Sequence, residues 1–175
     1  LSAIFGIVHR DGSPPAAEAL NILRIETAAW GRDGGGVVCH GSAGLGLALS
    51  LNTPEARFER LPSRDSAGHM FTGAGRVDNR AELAHELGMG AGASPFGDGA
   101  LMHRAWLRWG DACPARIFGD WAFAAWDPAT RELVLARDHF GNTAIYYYAG
   151  PGFFAFSSSR RALLKLDLPP AEMDE

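Results

Sequence analysis

The chain has 175 residues, 47% of them hydrophobic and 21% charged, and a net charge of −4. That length and balance suit one globular domain with a sizeable core and exclude a disordered chain. The acidic charge argues against nucleic acid or an anionic membrane as the main partner, and no apolar run approaches the ~20 residues that span a bilayer. The N-terminus lacks the basic-then-apolar pattern of a signal peptide, so a cytoplasmic location is expected.

Ala3 to Val8 reads as a buried strand closed by the turn Arg10-Asp11-Gly12. Ser13 before Pro14-Pro15 signals a helix start, and Leu20, Leu23, Arg24 and Thr27 share one side of a helix running to about Ala29. Gly31 to Gly36 breaks it. Val37–Cys39 and Leu45–Leu49 then form a hairpin-like pair about Gly41-Ser42-Ala43-Gly44. The charged stretch from Asn52 to Ser66, with two prolines, reads as an exposed loop.

His69 to Gly73 is the next strand, followed by Gly75-Arg76-Val77-Asp78-Asn79. Asn79 is placed to cap a helix from Arg80 to Leu87, with Glu82 at the reciprocal box position. The run GMGAGASPFGDG reads as a flexible loop, after which Asp98 caps a helix from Gly99 to Trp109 striped by Met102, Ala105, Trp106 and Trp109. Four β-rich runs follow, WAFAAWD, ELVLARD, AIYYYAG and FFAFSSS, joined by tight turns in the manner of an antiparallel meander. A last helix spans Ser159 to Leu166. Strands, helices and more strands in this order imply an α+β layered domain.

Cys39 and Cys113 fit no metal spacing and read as small buried residues in a reducing compartment. The six histidines form no HxH or HxxxH pair, so no metal site is expected. Trp121, Phe123 and Trp126 read as core.

Six pieces in order resemble the N-terminal class II glutamine amidotransferase domain of the asparagine synthetase family. They are IFGIV at Ile4–Val8, GRVDNRAEL at Gly75–Leu83, GD at Gly97–Asp98, GDWAFAAWD at Gly119–Asp127, ARDHFGNTAIYYY at Ala136–Tyr148 and FAFSSSRRALL at Phe154–Leu164. The resemblance implies a four-layer αββα sandwich of antiparallel sheets, the N-terminal-nucleophile hydrolase fold, with the first strand central. It also implies a domain over residues 1–166. The tail DLPPAEMDE at 167–175 then becomes a linker towards a C-terminal synthetase domain in cis, where ATP and Mg would act, with no cofactor in this domain.

The same resemblance implies site positions. Aligning IFGI puts Ser2 where active members carry a cysteine nucleophile whose own α-amine is the base. With Leu1 before it, Ser2 carries an amide nitrogen, which is not a base, and an alcohol needs an organised base to react. Ser2 therefore reads either as a weakened nucleophile or as a polar residue at a strand edge. The family's oxyanion Asn-Gly pair reads Ala74-Gly75 here: the glycine amide is kept and the side-chain donor is lost. Losing one such donor costs roughly 100- to 1,000-fold in rate.

The family's carboxylate clamp, an arginine in an Arg-Gly-Pro-Asp motif, faces the shorter WGRDGGG, where Arg32 is either the clamp or a solvent-facing loop residue. Asp98 matches the aspartate that holds the substrate's α-amine, and it is equally a helix cap. Arg137-Asp138 reads as structural, orienting the turn Asp138–Gly141. These departures resemble the branch with a degenerate amidotransferase domain, such as β-lactam synthetases and lasso-peptide cyclases. The expected function is a scaffold without glutaminase activity in an ATP-dependent amide-forming protein. The alternatives are an active glutaminase supplying ammonia, or a vestigial cleft that binds an amino acid or peptide.

Overall fold

The computed structural model describes residues 2–89 and 95–166. The first strand, β1 (Ala3–His9), is buried along nearly its whole length. It pairs antiparallel with β3 (Ala43–Leu49) on one side and with β9 (Phe153–Ser157) on the other. Outside these lie β2 (Gly34–His40) and β8 (Tyr146–Ala149), giving a five-stranded sheet in the order β2-β3-β1-β9-β8. The second sheet has the order β4-β5-β6-β7, from Ser63–Arg64, Met70–Val77, Gly119–Asp127 and Glu132–Arg137.

The period-2 alternation of β1 decides which side chains meet which layer. Ile4 and Val8 join the core between the sheets with Leu45, Met70, Ala74 and Trp126, while Phe5 and Ile7 turn to a second cluster with Leu20, Leu23 and Leu163. That second cluster seats α1 (Ala17–Thr27) and α4 (Arg160–Leu164) on the first sheet. On the far face of the second sheet lies α3 (Asp98–Trp109), with α2 (Arg80–Glu86) beside it. There Trp121, Phe123 and Phe71 stack in a row, with centroids 5.5 and 5.2 Å apart, an offset geometry favourable for aromatic rings. The layers are helix, sheet, sheet, helix, and β1 is central in its sheet.

Several sequence expectations change in detail. The four last β runs are not one meander. β6 and β7 complete the second sheet, and the chain then crosses to the first to form β8 and β9. The crossing is held at Asp138, whose buried carboxylate accepts the Asn142 and Thr143 N–H groups at 3.0 and 2.8 Å. Burial acts to raise this carboxyl, but those backbone donors together hold it below its ordinary value.

The helix expected from Ser13 begins at Ala17, because the Ser13 hydroxyl is spent on Asp11 at 2.7 Å. Asn79 makes no cap bond. Its side chain instead ties the start of β6 to the end of β5, accepting Phe118 N–H at 3.0 Å and donating to Arg116 C=O at 2.9 Å. Cys113 is buried, which pushes its thiol up to about 12 and makes it inert, but Cys39 is exposed on β2. No helix among the described residues is long and apolar enough to cross a membrane. The proposed linker 167–175, residue Leu1 and residues 90–94 of the glycine-rich loop lie outside the described residues.

Candidate functional site

A cavity of about 180 Å³ opens at the end of the inter-sheet layer where β1 begins. Ser2, Ala74, Gly75 and Asp98 all line it. Their convergence follows from topology: β1 pairs with β3, β5 lies across the core from both, and α3 starts above the end of β5. Arg32 is exposed in the connection between α1 and β2 and is not among the lining residues.

Ser2 is held by the chain itself. Its Oγ accepts the Ser50 N–H at 2.9 Å and donates to the Ser50 carbonyl at 3.4 Å. The hydroxyl thus adds a side-chain rung to the β1–β3 ladder just beyond the Ala3–Ala48 pair. Neither of these partners is a base that could activate the hydroxyl.

Ala74 is buried opposite Ala122, and its methyl offers the cavity apolar surface and no hydrogen-bond donor. Gly75 beside it keeps an unusual backbone, with φ +140°.

Asp98 is the first residue of α3, and Gly97 occupies the cap position. Its side chain is only 7% exposed and forms an ion pair with the Arg80 guanidinium. Arg80 also donates to the Phe96 carbonyl at 2.7 Å, and its guanidinium sits 5.0 Å from the Phe96 ring centre. Arg80 is therefore held by a carboxylate, a carbonyl and an aromatic face at once. Burial pushes the Asp98 carboxyl up, and Arg80 offsets only part of that rise. The capping expected of Asp98 falls instead to Glu59, whose carboxylate accepts Gly99 N–H at 3.0 Å and Leu61 N–H at 3.1 Å.

Glu59 lies in the stretch that composition suggests is an exposed loop. That expectation needs correcting: Leu61 is core, Asn52, Thr53 and Ala56 line the cavity, and residues 54–58 form a short 3-10 turn capped by Thr53. The remaining charges are Arg76 and Asp120. Arg76 bonds Asp78 through Nε at 2.6 Å and through Nη2 at 3.2 Å, and approaches Asp120 at 3.6 Å. Asp120 also accepts Asn142 at 2.7 Å. The lining thus carries three carboxylates against one guanidinium, and that guanidinium is engaged.

Ser50, Glu59, Arg80 and Asp120 were not singled out from sequence. Only Arg80 leaves a local signal, a basic residue opening a helix whose dipole disfavours it there. Among the described residues, no group of three or more His, Cys, Asp or Glu could hold a metal ion.

A profile of the glutamine amidotransferase domain matches residues 52–165. The chain belongs to that family. Within it, this glutamine amidotransferase domain is similar to putative glutamine-hydrolysing asparagine synthetases. The protein from Mycobacterium bovis is 38% identical over 94 residues, 53% of this chain and 14% of the relative. That from Methanocaldococcus jannaschii is 44% identical over 48 residues, 27% of this chain and 9% of the relative. The matched region is thus a small part of much longer proteins. The fold is that of glutamine phosphoribosylpyrophosphate amidotransferase from Bacillus subtilis, with TM-score 0.72 over 92% of this chain and 42% of that one, at 15% identity. This is the N-terminal-nucleophile hydrolase architecture, and the two antiparallel sheets between helices described above conform to it.

Proposed function

We propose that this amidotransferase domain has no glutaminase activity and serves as a scaffold for an ATP-dependent amide-forming domain in the same cytoplasmic protein. The observation that carries the reading is that the polar groups of the cleft are bonded to the protein itself. Ser2 is bonded to Ser50, Asp98 to Arg80 and Arg76 to Asp78.

Hydrolysis of glutamine requires a nucleophile with a base, donors for the oxyanion, and partners for the α-ammonium and α-carboxylate. Here the hydroxyl bonds only a backbone amide and carbonyl, and the donor position is Ala74. With Arg80 held by Asp98 and Arg76 by Asp78, neither guanidinium is free to take an α-carboxylate. Glu59, Asp98 and Arg80 instead fasten the Asn52–Ser66 stretch, α3 and α2 to one another, a structural use of the same space.

The great length of the asparagine synthetase relatives supports a synthetase domain in cis, and ATP and Mg would belong there.

The scaffold reading predicts that millimolar glutamine leaves the melting temperature of this domain unchanged in a thermal-shift assay, since a ligand raises Tm only by binding the folded state. A concentration-dependent rise with glutamine would overturn the reading in favour of a ligand-binding cleft.

A further inference from the structure

A second cavity, of about 450 Å³, lies on the outer face of the second sheet. It sits near Met70 and Phe71, at the opposite end of β5 from Ser2. Its volume falls within the range of about 300–1,000 Å³ usual for small-ligand pockets.

The hollow has a simple origin. Phe71, Ala125 and Val134 stand side by side on three neighbouring strands and share one face. The small Ala125 between two larger side chains leaves a depression that α3 does not fill. The helix supplies the wall through His103, Trp106 and Leu107, which at spacings of three and four lie on one helical face, with Gly110 just past its end. The His103 ring stacks on Phe71, with centroids 4.5 Å apart. Burial, with a smaller contribution from Arg104, lowers the pKa of His103 and favours its neutral form. Leu107 is 67% exposed at the mouth.

The rim has the opposite character. Asp65, Asp127 and Glu132 line it, and no lysine or arginine does. Asp127 and Glu132 face each other across the β6–β7 pair. His69 is the basic side chain on the rim. Its Nδ1 lies 2.9 Å from Asp65 and its Nε2 3.7 Å from Asp127. Even with His69 protonated, three carboxylates oppose one cation.

An apolar, ring-lined floor under a negative rim is complementary to a molecule with a flat apolar body and a cationic head. We propose that this cavity binds small aromatic amines, with the ring over Ala125 beside Trp106 and the ammonium among Asp65, Asp127 and Glu132. An anionic or neutral analogue of the same shape lacks the attraction to the rim.

The test is calorimetric titration of this chain with 2-phenylethylamine, 2-phenylethanol and phenylacetate at low ionic strength. The amine is expected to bind about tenfold more tightly than the alcohol, and phenylacetate more weakly still. Ala125→Leu, which fills the depression, should abolish amine binding. Should that variant fail to fold, Leu107→Arg replaces an exposed side chain with a cation at the mouth and should abolish binding with Tm unchanged. Absence of binding by the amine, equal affinity for amine and alcohol, or amine binding that survives Leu107→Arg would each overturn the proposal. Whether the domain binds glutamine or releases ammonia has no bearing on these heats, so the result stands apart from the reading of the Ser2 cleft.

Discussion

Replacing Arg80 with alanine should destabilise the domain by about 3–5 kcal/mol, because it strips the partner from a buried carboxylate. For a chain of this length that is a fall in Tm of roughly 10 °C or more, readable by calorimetry or circular dichroism. Asp98 is 7% exposed on its side chain, and the alanine would leave its charge facing the Phe96 carbonyl and the cavity without a cation.

The loss should depend on pH in a definite direction. The folded-state Asp98 carboxyl is already raised above its ordinary value of 3.8, chiefly by burial, and removing Arg80 removes the main opposing influence. Between the unfolded and the raised folded value, the folded protein keeps a proton that the unfolded chain has released, so stability falls as pH rises through that window. Arg80→Ala should accordingly lose less stability relative to the parent near pH 5 than near pH 8. The double variant Arg80→Ala with Asp98→Asn, which has no charge to bury, should recover much of the loss. A single variant as stable as the parent at pH 8 would show that the pair carries no weight in the fold.

Gly75→Ala should cost on the order of 4 kcal/mol, combining backbone strain with overpacking. At φ +140° an L-residue is strained, and an added Cβ would meet the Asp120 carbonyl oxygen at 2.2 Å and the Trp121 Cα at 2.5 Å. Both obstacles are main chain in the paired strand β6, which cannot move without breaking its ladder with β5. The disturbance should spread along the Gly75–Trp121 pairing into the stacked Trp121 and Phe123 rings, with loss of near-ultraviolet dichroism as well as of Tm. Retention of both signals would mean that the strand end is pliant and Gly75 is not held by this packing.

The layered fold was legible because its signals are periodic and local. The continuous apolar run Ala3–Val8 declares a strand buried on both faces, and the stripe of α3 declares one buried face, each without knowledge of the partner. Partnership was less legible. β6–β7 and β8–β9 look alike as neighbouring hairpins in the sequence, and only the turn anchored by Asp138 sends the second pair to the other sheet.

In the cleft, the resemblance placed Ser2, Ala74, Gly75 and Asp98, and these four do lie together. What they bond to could not be read from spacing. Ser50 lies 48 positions from Ser2, and Arg80 lies 18 from Asp98. The 52–66 stretch was obscured for a related reason. Its charges suggest exposure, yet Glu59 turns inward because its carboxylate is satisfied by the N–H groups of Leu61 and Gly99, and Leu61 follows it into the core.

Ammonia release from glutamine, compared between this domain and its Ser2→Ala variant, tests the central claim that the fold is retained without the chemistry. It should be run on protein whose first residue has been fixed by mass spectrometry, once with Leu1 present and once with Ser2 exposed. The account predicts that both forms release ammonia no faster than Ser2→Ala, since the hydroxyl is bonded to Ser50 and Ala74 offers no oxyanion donor. Release by either form well above that of Ser2→Ala would contradict it.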